Sequence, residues 1–566
     1  MIENENVEPD KQRPPDEKPV IAKPIMRDPM DRDPETPSRE ALSQLFGRVL
    51  DPGTAMQVKG LKTRPTAYVG HRILVPTERL DDVLPVLQEA AKFKGWTLES
   101  DPDFKSWRLT VPDPDQPDRR ITLGQARYLI DIIPGQTSSS PDAWVLLQLA
   151  RANSGIDALR GVQLDHIVTP TPLYEPHPLY EPHPLYEPHP LYEPHGYRNR
   201  TPVAFIGNPP RRRKIKTLRP IVAIMDTGVG RHPWLDGIVN KTVTLDGAPI
   251  GYTDPSTDSE EHPDQVGPLD GGLDATSGHG TFIAGLIHQA CPDADILSWR
   301  LIPSEGPLAE SEVMATLAQV IELVTRYFDG RDDGQRIDVL SLSYGFFHET
   351  AADTASELQL RTMLRALSVM GTIVVCAAGN EATARPRYPA AFGPWRNDPA
   401  AVPSVSELPI VSVGALNPNG TEALFSNTGP WVRAWTTGAA LVSTIPKFRG
   451  GYLPSARISY EGRVREGLDP DDFSGRFAIW SGTSFAAPLL AGRLASRLLS
   501  QMPSDEASHR ASRVTLGWTC VAAETDIVAP CRATQRRRPA GTGRLREPRR
   551  PPPAGAAFPA GHLGGN

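Results

Sequence analysis

Ser481-Gly482-Thr483-Ser484-Phe485-Ala486-Ala487-Pro488 is a run of small residues leading into an apolar, Ala-rich stretch, LLAGRLASRLL. The apolar spacing of that stretch predicts a buried helix. Ser484 then stands at a helix N-terminus, where unpaired N–H groups and the positive end of the dipole favour an anion. A serine that attacks a carbonyl creates such an anion beside itself. A serine before a helix is also a favoured N-cap and nothing more, so the reading turns on what else the chain offers.

Three further stretches bear on it. Ile221-Val222-Ala223-Ile224-Met225-Asp226-Thr227-Gly228 reads as a buried parallel strand with Asp226 at its carboxyl end, where α/β sheets place their sites. Ser277-Gly278-His279-Gly280-Thr281 opens the apolar run FIAGLI, so His279 is also expected near a helix start. Val374-Val375-Cys376-Ala377-Ala378-Gly379-Asn380-Glu381 is another buried strand, ending in an amide able to donate to an oxyanion.

DTGV, GHGTFIAG, AAGNE and SGTSFAAP together resemble the four signature blocks of the subtilases, the subtilisin-like serine proteases, over about residues 218–502. The order Asp226, His279, Ser484 is that of subtilisin. The resemblance implies an α/β fold with a subtilisin-like parallel sheet and helices on both faces. It implies a serine endopeptidase with Ser484 as nucleophile, His279 as general base and Asp226 orienting the imidazole. Asn380 and the Ser484 N–H would hold the oxyanion. The family's substrate-binding strand resembles Leu340–Gly345, so Leu342, Ser343, Tyr344 and Gly345 are expected to pair with an extended polypeptide substrate. Tyr344 stands where the family usually has a smaller residue, which bears on the specificity pocket. No cofactor is implied. Asp-Thr-Gly is also an aspartic-protease signature, but that chemistry needs two such carboxylates and no second DTG or DSG occurs. A catalytically silent, binding or regulatory protein on the same fold is the alternative.

The 566 residues suffice for two to four domains, and the formal net charge of −7 implies no nucleic-acid partner. The 59 prolines concentrate in linkers and tails. The 4 cysteines show neither metal-ligand nor disulfide-framework spacing, which fits a reducing compartment. The acidic, Pro-rich N-terminus has no positive or apolar segment of a secretory signal, and no window is long and apolar enough for a membrane span. Most subtilases are exported; this chain is expected to be cytoplasmic.

Residues 1–66 read as disordered, with a short helix at 39–50. Residues 67–168 read as a small α+β domain of order β-α-β-β-α-β, a ferredoxin-like split pattern. Its strands are expected at 72–76, 96–99, 107–111 and 162–168, its helices from near Asp82 and over 142–153, with an insertion near 119–135. Many subtilases carry a propeptide of that topology, which aids folding and blocks the cleft; an unrelated small domain fits equally. Autoinhibition by this N-terminal domain is the expected restraint on a cytoplasmic protease. Separation from the peptidase blocks and the lack of an obvious cleavage site count against removal.

Residues 169–217 form a linker. It contains four copies of Pro-Leu-Tyr-Glu-Pro-His, expected to be extended, with histidines roughly 18 Å apart and unable to share an ion. The basic run Arg211–Lys216 is a solvated linker or a processing site. Between Lys241 and Arg300 no Lys or Arg occurs, and Asp254, Asp258, Glu260, Glu261, Asp264, Asp270 and Asp274 suggest a solvated acidic loop, a calcium site or a surface for basic substrates. No ligand set can be assembled, so no metal is expected. Residues 503–566 read as a largely disordered Arg/Pro/Gly-rich tail.

Overall fold

Ile221–Asp226 (β8) is apolar until its last residue and almost wholly buried, as a strand covered on both sheet faces must be. The computed structural model describes residues 33–529, apart from 35, 38, 137–138, 171–199, 268, 305, 351–358, 399–401, 452 and 455. The other parallel strands are β9 (Val239–Asn240), β12 (Asp295–Arg300), β14 (Val339–Leu342), β16 (Ile373–Ala377), β17 (Val411–Leu416) and β18 (Ala434–Thr437). They lie in the order β18-β17-β16-β14-β8-β12-β9, and every ladder is parallel. From β8 the chain passes to β9 and β12 on one side and then to β14 on the other. The carboxyl ends of strands at such a reversal flank a crevice.

Alternate residues of β8 face opposite layers. Val222 and Ile224 pack with the helices α4 (His279–Ala290), α7 (Thr483–Leu499) and α8 (Glu506–Glu524) through Phe282, Ile287, Phe485, Leu490 and Trp518. Ala223 and Met225 pack with α5 (Glu310–Phe328) and α6 (Gln359–Val369) through Met314, Leu317, Ile321, Met363 and Leu367. Two helical layers over one parallel sheet is the expected α/β architecture.

The N-terminal part is a second sheet. Its strands are β1 (Gly47–Leu50), β2 (Thr66–Pro76), β3 (Trp96–Ser100), β4 (Trp107–Pro112), β5 (Arg120–Ile132) and β6 (Gln163–Pro170), with helices α2 (Leu80–Phe93) and α3 (Ala143–Ser154) on one face. The order β6-β2-β5-β3 is antiparallel throughout. Val83, Leu87, Trp144 and Leu147 close this core over Ile73 and Val75.

Several expectations are corrected. The stretch read as an insertion near 119–135 is β5, the third core strand, and the 107–111 stretch is the hairpin arm β4 paired with its first half. Gln125 and Arg127 hid the strand, because polar residues there are buried against the parallel-sheet part. The helix expected over 39–50 is only Arg39–Gln44 (α1), and Gly47–Leu50 pairs with β2. Helix α2 starts at Leu80, before the expected Asp82, so Pro85 lies inside it. The tail expected from 503 begins instead with α8, whose Trp518, Cys520 and Val521 join the core. The basic run is not free in solvent: Arg213 Nε bonds Asp293 at 2.6 Å, and Arg212 bonds Asp295. The Pro-Leu-Tyr-Glu-Pro-His repeats lie outside the described residues, as does the chain from 530.

Candidate active site

Asp226 is the last residue of β8, and His279 is the first of α4. His279 Nδ1 lies 2.7 Å from Asp226 Oδ1, which also accepts the Thr227 N–H at 2.8 Å. Both side chains are buried. The imidazole is walled by Trp480 and Phe485, with ring centroids at 5.7 and 5.3 Å. Its Nε2 has no hydrogen-bond partner among the described residues. Gly280 is dictated by packing, since a Cβ there would sit 1.9 Å from the Gly228 carbonyl oxygen.

Ser484 is the second residue of α7; Gly482, with φ 149°, holds the N-cap position. The capping reading of Ser484 is therefore not what its position serves. Ser484 Oγ is 3.4 Å from the Ser343 carbonyl oxygen, and Ser343 Oγ donates to the Ser484 carbonyl at 3.0 Å. Pro488 explains the second contact. It lacks the N–H that would bond the carbonyl four residues back, and Ser343 supplies the donor instead. Thr483 holds the neighbouring amide. Its N–H and Oγ1–H both donate to Asn380 Oδ1 at 2.9 Å, which turns the Asn380 Nδ2 away from them. The Gly379 N–H donates to Thr483 Oγ1 at 3.0 Å, at a φ of 105° that a side chain would strain.

The strand Tyr344–Gly345 (β15) follows directly. Tyr344 pairs by its backbone with the end of the N-terminal sheet, while its side chain is buried in the core. The groove between β15 and Leu308–Ala309 (β13) holds the end of β6. Ile167 and Val168 pair with Ala309 and Leu308, and Thr169 and Pro170 pair with Gly345 and Tyr344, all antiparallel. Arg387 Nη2 binds the Thr169 carbonyl at 2.8 Å and the Gly345 carbonyl at 3.0 Å. So the separation of the two parts in sequence does not keep them apart in space.

Next to the groove, β6 makes two buried contacts with α5. Asp165 accepts the Ser311 N–H and Oγ–H, each at 2.9 Å, capping a helix whose own N-cap, Ala309, has no side chain to do so. His166 is clamped between Glu310, 2.6 Å from Nδ1, and Glu349, 2.7 Å from Nε2. Burial opposes a charge there, but Glu349 and Glu310 outweigh it and raise the imidazole to about 10. His166, His348 and Glu349 are the group among the described residues with metal-ligand proximity. His348 Nδ1 accepts the Thr350 N–H at 3.2 Å, which keeps the proton on Nε2 and removes the lone pair a metal would need. The cluster is an ion-pair lock.

The acidic loop is not uniformly solvated. Glu260 and Asp274 are 2% exposed and bind hydroxyl and backbone donors. Sequence reasoning named Asp226, His279, Asn380 and Ser484, of which Asp226 and His279 are in contact; it did not single out Thr483, Arg387, Asp165 or His166, and it read Glu260 as one acid of a loop. Only the threonine, inside the quoted SGTS block, carried a local signal.

A model of the subtilase family matches residues 219–533. An intracellular serine protease of Paenibacillus polymyxa is 24% identical over 44% of this chain and 66% of its own length. Serine protease AprX of Bacillus subtilis is 26% identical over 50% of this chain and 57% of its own. The chain thus spans less than two thirds of either relative. The crystal structure of fervidolysin from Fervidobacterium pennivorans aligns at 19% identity over 79% of this chain and 56% of that one, with a TM-score of 0.40.

Proposed function

We infer that this chain, which belongs to the subtilase family, is a serine endopeptidase. The observation that carries the reading is the buried 2.7 Å contact between Asp226 and His279 beside the N-terminus of α7. With its Nδ1 proton on Asp226, His279 offers Nε2 as the base. Nε2 takes the Ser484 proton as Oγ attacks the scissile carbonyl. The Ser484 N–H and Asn380 Nδ2 receive the oxyanion. His279 then protonates the leaving amine, and water repeats the sequence to free the acid. The polypeptide would extend along Leu342, Ser343, Tyr344 and Gly345. Ser484 Oγ, now near the Ser343 carbonyl, turns to Nε2 in this reading when substrate binds; such contacts tighten in the substrate complex. A cytoplasmic location is supported by three buried free cysteines, Cys291, Cys376 and Cys520, and by the intracellular relative. Among the described residues no helix is long and apolar enough to cross a membrane.

A second element of the reading is latency. The β6 segment Ile167–Pro170 occupies the groove a substrate strand needs, so the N-terminal part acts as an inhibitor in cis.

Fluorophosphonate labelling of the full chain, of Ser484→Ala and of a form lacking residues 1–168 tests both. Labelling that requires Ser484 and rises on deletion is expected. No labelling of any folded form would favour the silent alternative.

A further inference from the structure

Glu260 lies inside the wall behind Asp226 and His279. Its Oε1 accepts from Thr227 Oγ1 at 2.5 Å and from the Gly280 N–H at 3.2 Å, and its Oε2 accepts from Thr281 Oγ1 at 2.5 Å. Thr227 follows Asp226 in the chain, and Gly280 follows His279. One carboxylate therefore ties the turn after β8 to the first turn of α4. It also brings negative charge to a helix start whose N-cap, Gly278, has no side chain to offer.

The Thr227 hydroxyl has one proton and two lone pairs. The Gly280 N–H donates to its oxygen at 2.8 Å. Two carboxylates compete for its proton: Glu260 Oε1 at 2.5 Å and Asp226 Oδ1 at 3.3 Å. When Glu260 is ionised the proton goes to Glu260, the nearer acceptor. With a proton on Oε1, the Glu260 O–H faces Thr227 Oγ1, and the Thr227 proton turns to Asp226.

We propose that Glu260 is a positioning residue that acts through Thr227. Its protonation state decides whether Asp226 receives the Thr227 hydroxyl, and so how firmly Asp226 supports the proton on His279. The inference rests on the reading of Asp226 and His279 as the working pair. No heavy-atom bond changes; one proton is exchanged with solvent and one hydroxyl rotates. The titratable groups facing Glu260 are Asp226 from β8 and Asp258 from its own loop. Burial, against the bonds from Thr227 and Thr281, pushes Glu260 up to about 7, so the exchange falls near neutrality. As pH rises through it, Asp226 loses a donor and gains a like charge nearby.

The test follows the His279 ring by NMR across pH in the full chain, in Glu260→Gln, in Thr227→Val and in the double variant. The pH profile of fluorophosphonate labelling is recorded beside it. Glu260→Gln, a fixed neutral donor, is expected to lower the His279 midpoint and the acid limb of labelling by roughly one unit, the scale of a neighbouring charge. In the Thr227→Val background that shift is expected to shrink by at least half. An unmoved midpoint in a folded Glu260→Gln would overturn the proposal, and an equal shift in both backgrounds would overturn the route through Thr227. Should Glu260→Gln not fold, Thr227→Val alone decides. The native titration must show a second inflection near neutrality that this variant loses, and its persistence would count against the relay. A chain that never labels ends the peptidase reading, while the NMR titration still judges Glu260.

Discussion

Ser343 and Ser484 are bonded in both directions: the Ser343 hydroxyl donates to the Ser484 carbonyl at 3.0 Å, and Ser484 Oγ faces the Ser343 carbonyl at 3.4 Å. Ser343 thus replaces the helix bond that Pro488 cannot make. Ser343→Ala would remove this donor from a buried carbonyl. The expected loss is about 1–3 kcal/mol of stability, read as a lower urea midpoint. An unchanged midpoint would mean that water or a shifted backbone satisfies Ser484.

Asn380 is held by Thr483 through two bonds to one oxygen. Asn380→Ala should lower kcat by roughly 10²–10³ with little change in KM, as for loss of an oxyanion donor. Thr483→Val keeps the amide but frees it to turn, and a loss of roughly tenfold to a hundredfold is expected. Steady-state kinetics on a peptide substrate distinguishes the two. A raised KM at constant kcat would point to substrate binding instead.

His166 ties the N-terminal part to Glu310 and Glu349, and its folded pKa lies above the ordinary value of 6.5, at about 10. A raised folded pKa means stability that is fully present below 6.5 and is lost as pH rises through 10. His166→Gln should therefore melt well below the native chain near neutrality, by several kcal/mol, since it leaves two buried carboxylates without the cation between them. The gap should narrow as pH approaches the raised value. Parallel melting curves at all pH values would rule out a charged His166.

Val168 is buried where β6 pairs with Leu308. Val168→Asp places a carboxylate in that apolar seam and should lift the segment from the groove while keeping the Asp165 cap. Labelling of Ser484 should then quicken by at least about tenfold, which requires a shift of only about 1.4 kcal/mol. An unchanged rate in a folded variant would show that the segment does not limit access.

The candidate site residues were legible because each sits in a short block whose local pattern states its element: apolar strand then acid, glycine then helix. The two core layers followed from the unbroken apolar runs of β8, β16 and β17. Residues facing another part of the chain were not legible. Gln125 and Arg127 look like solvent positions in β5, yet they are buried against α5 through Met314, Ser311 and Glu312. Glu260 looked like one acid among seven, because its hydroxyl partners lie tens of residues away in sequence. Helix α8 turns His509 and Arg513 inward, Arg513 to the Ile337 carbonyl and Thr372, so its core face does not read as apolar.

That last helix has a consequence for synthesis. Trp518, Cys520 and Val521 cover part of the layer that β17 enters with Val411 and Val413. At about 5–20 residues per second, the ribosome needs on the order of ten seconds between that strand and its cover. During that interval a nascent chain carries Val- and Ile-rich strands with one flank open. Anything that slows translation downstream of β17 lengthens the period in which neighbouring chains on one message can stick together, so the yield of soluble protein should depend on codon choice over α7 and α8.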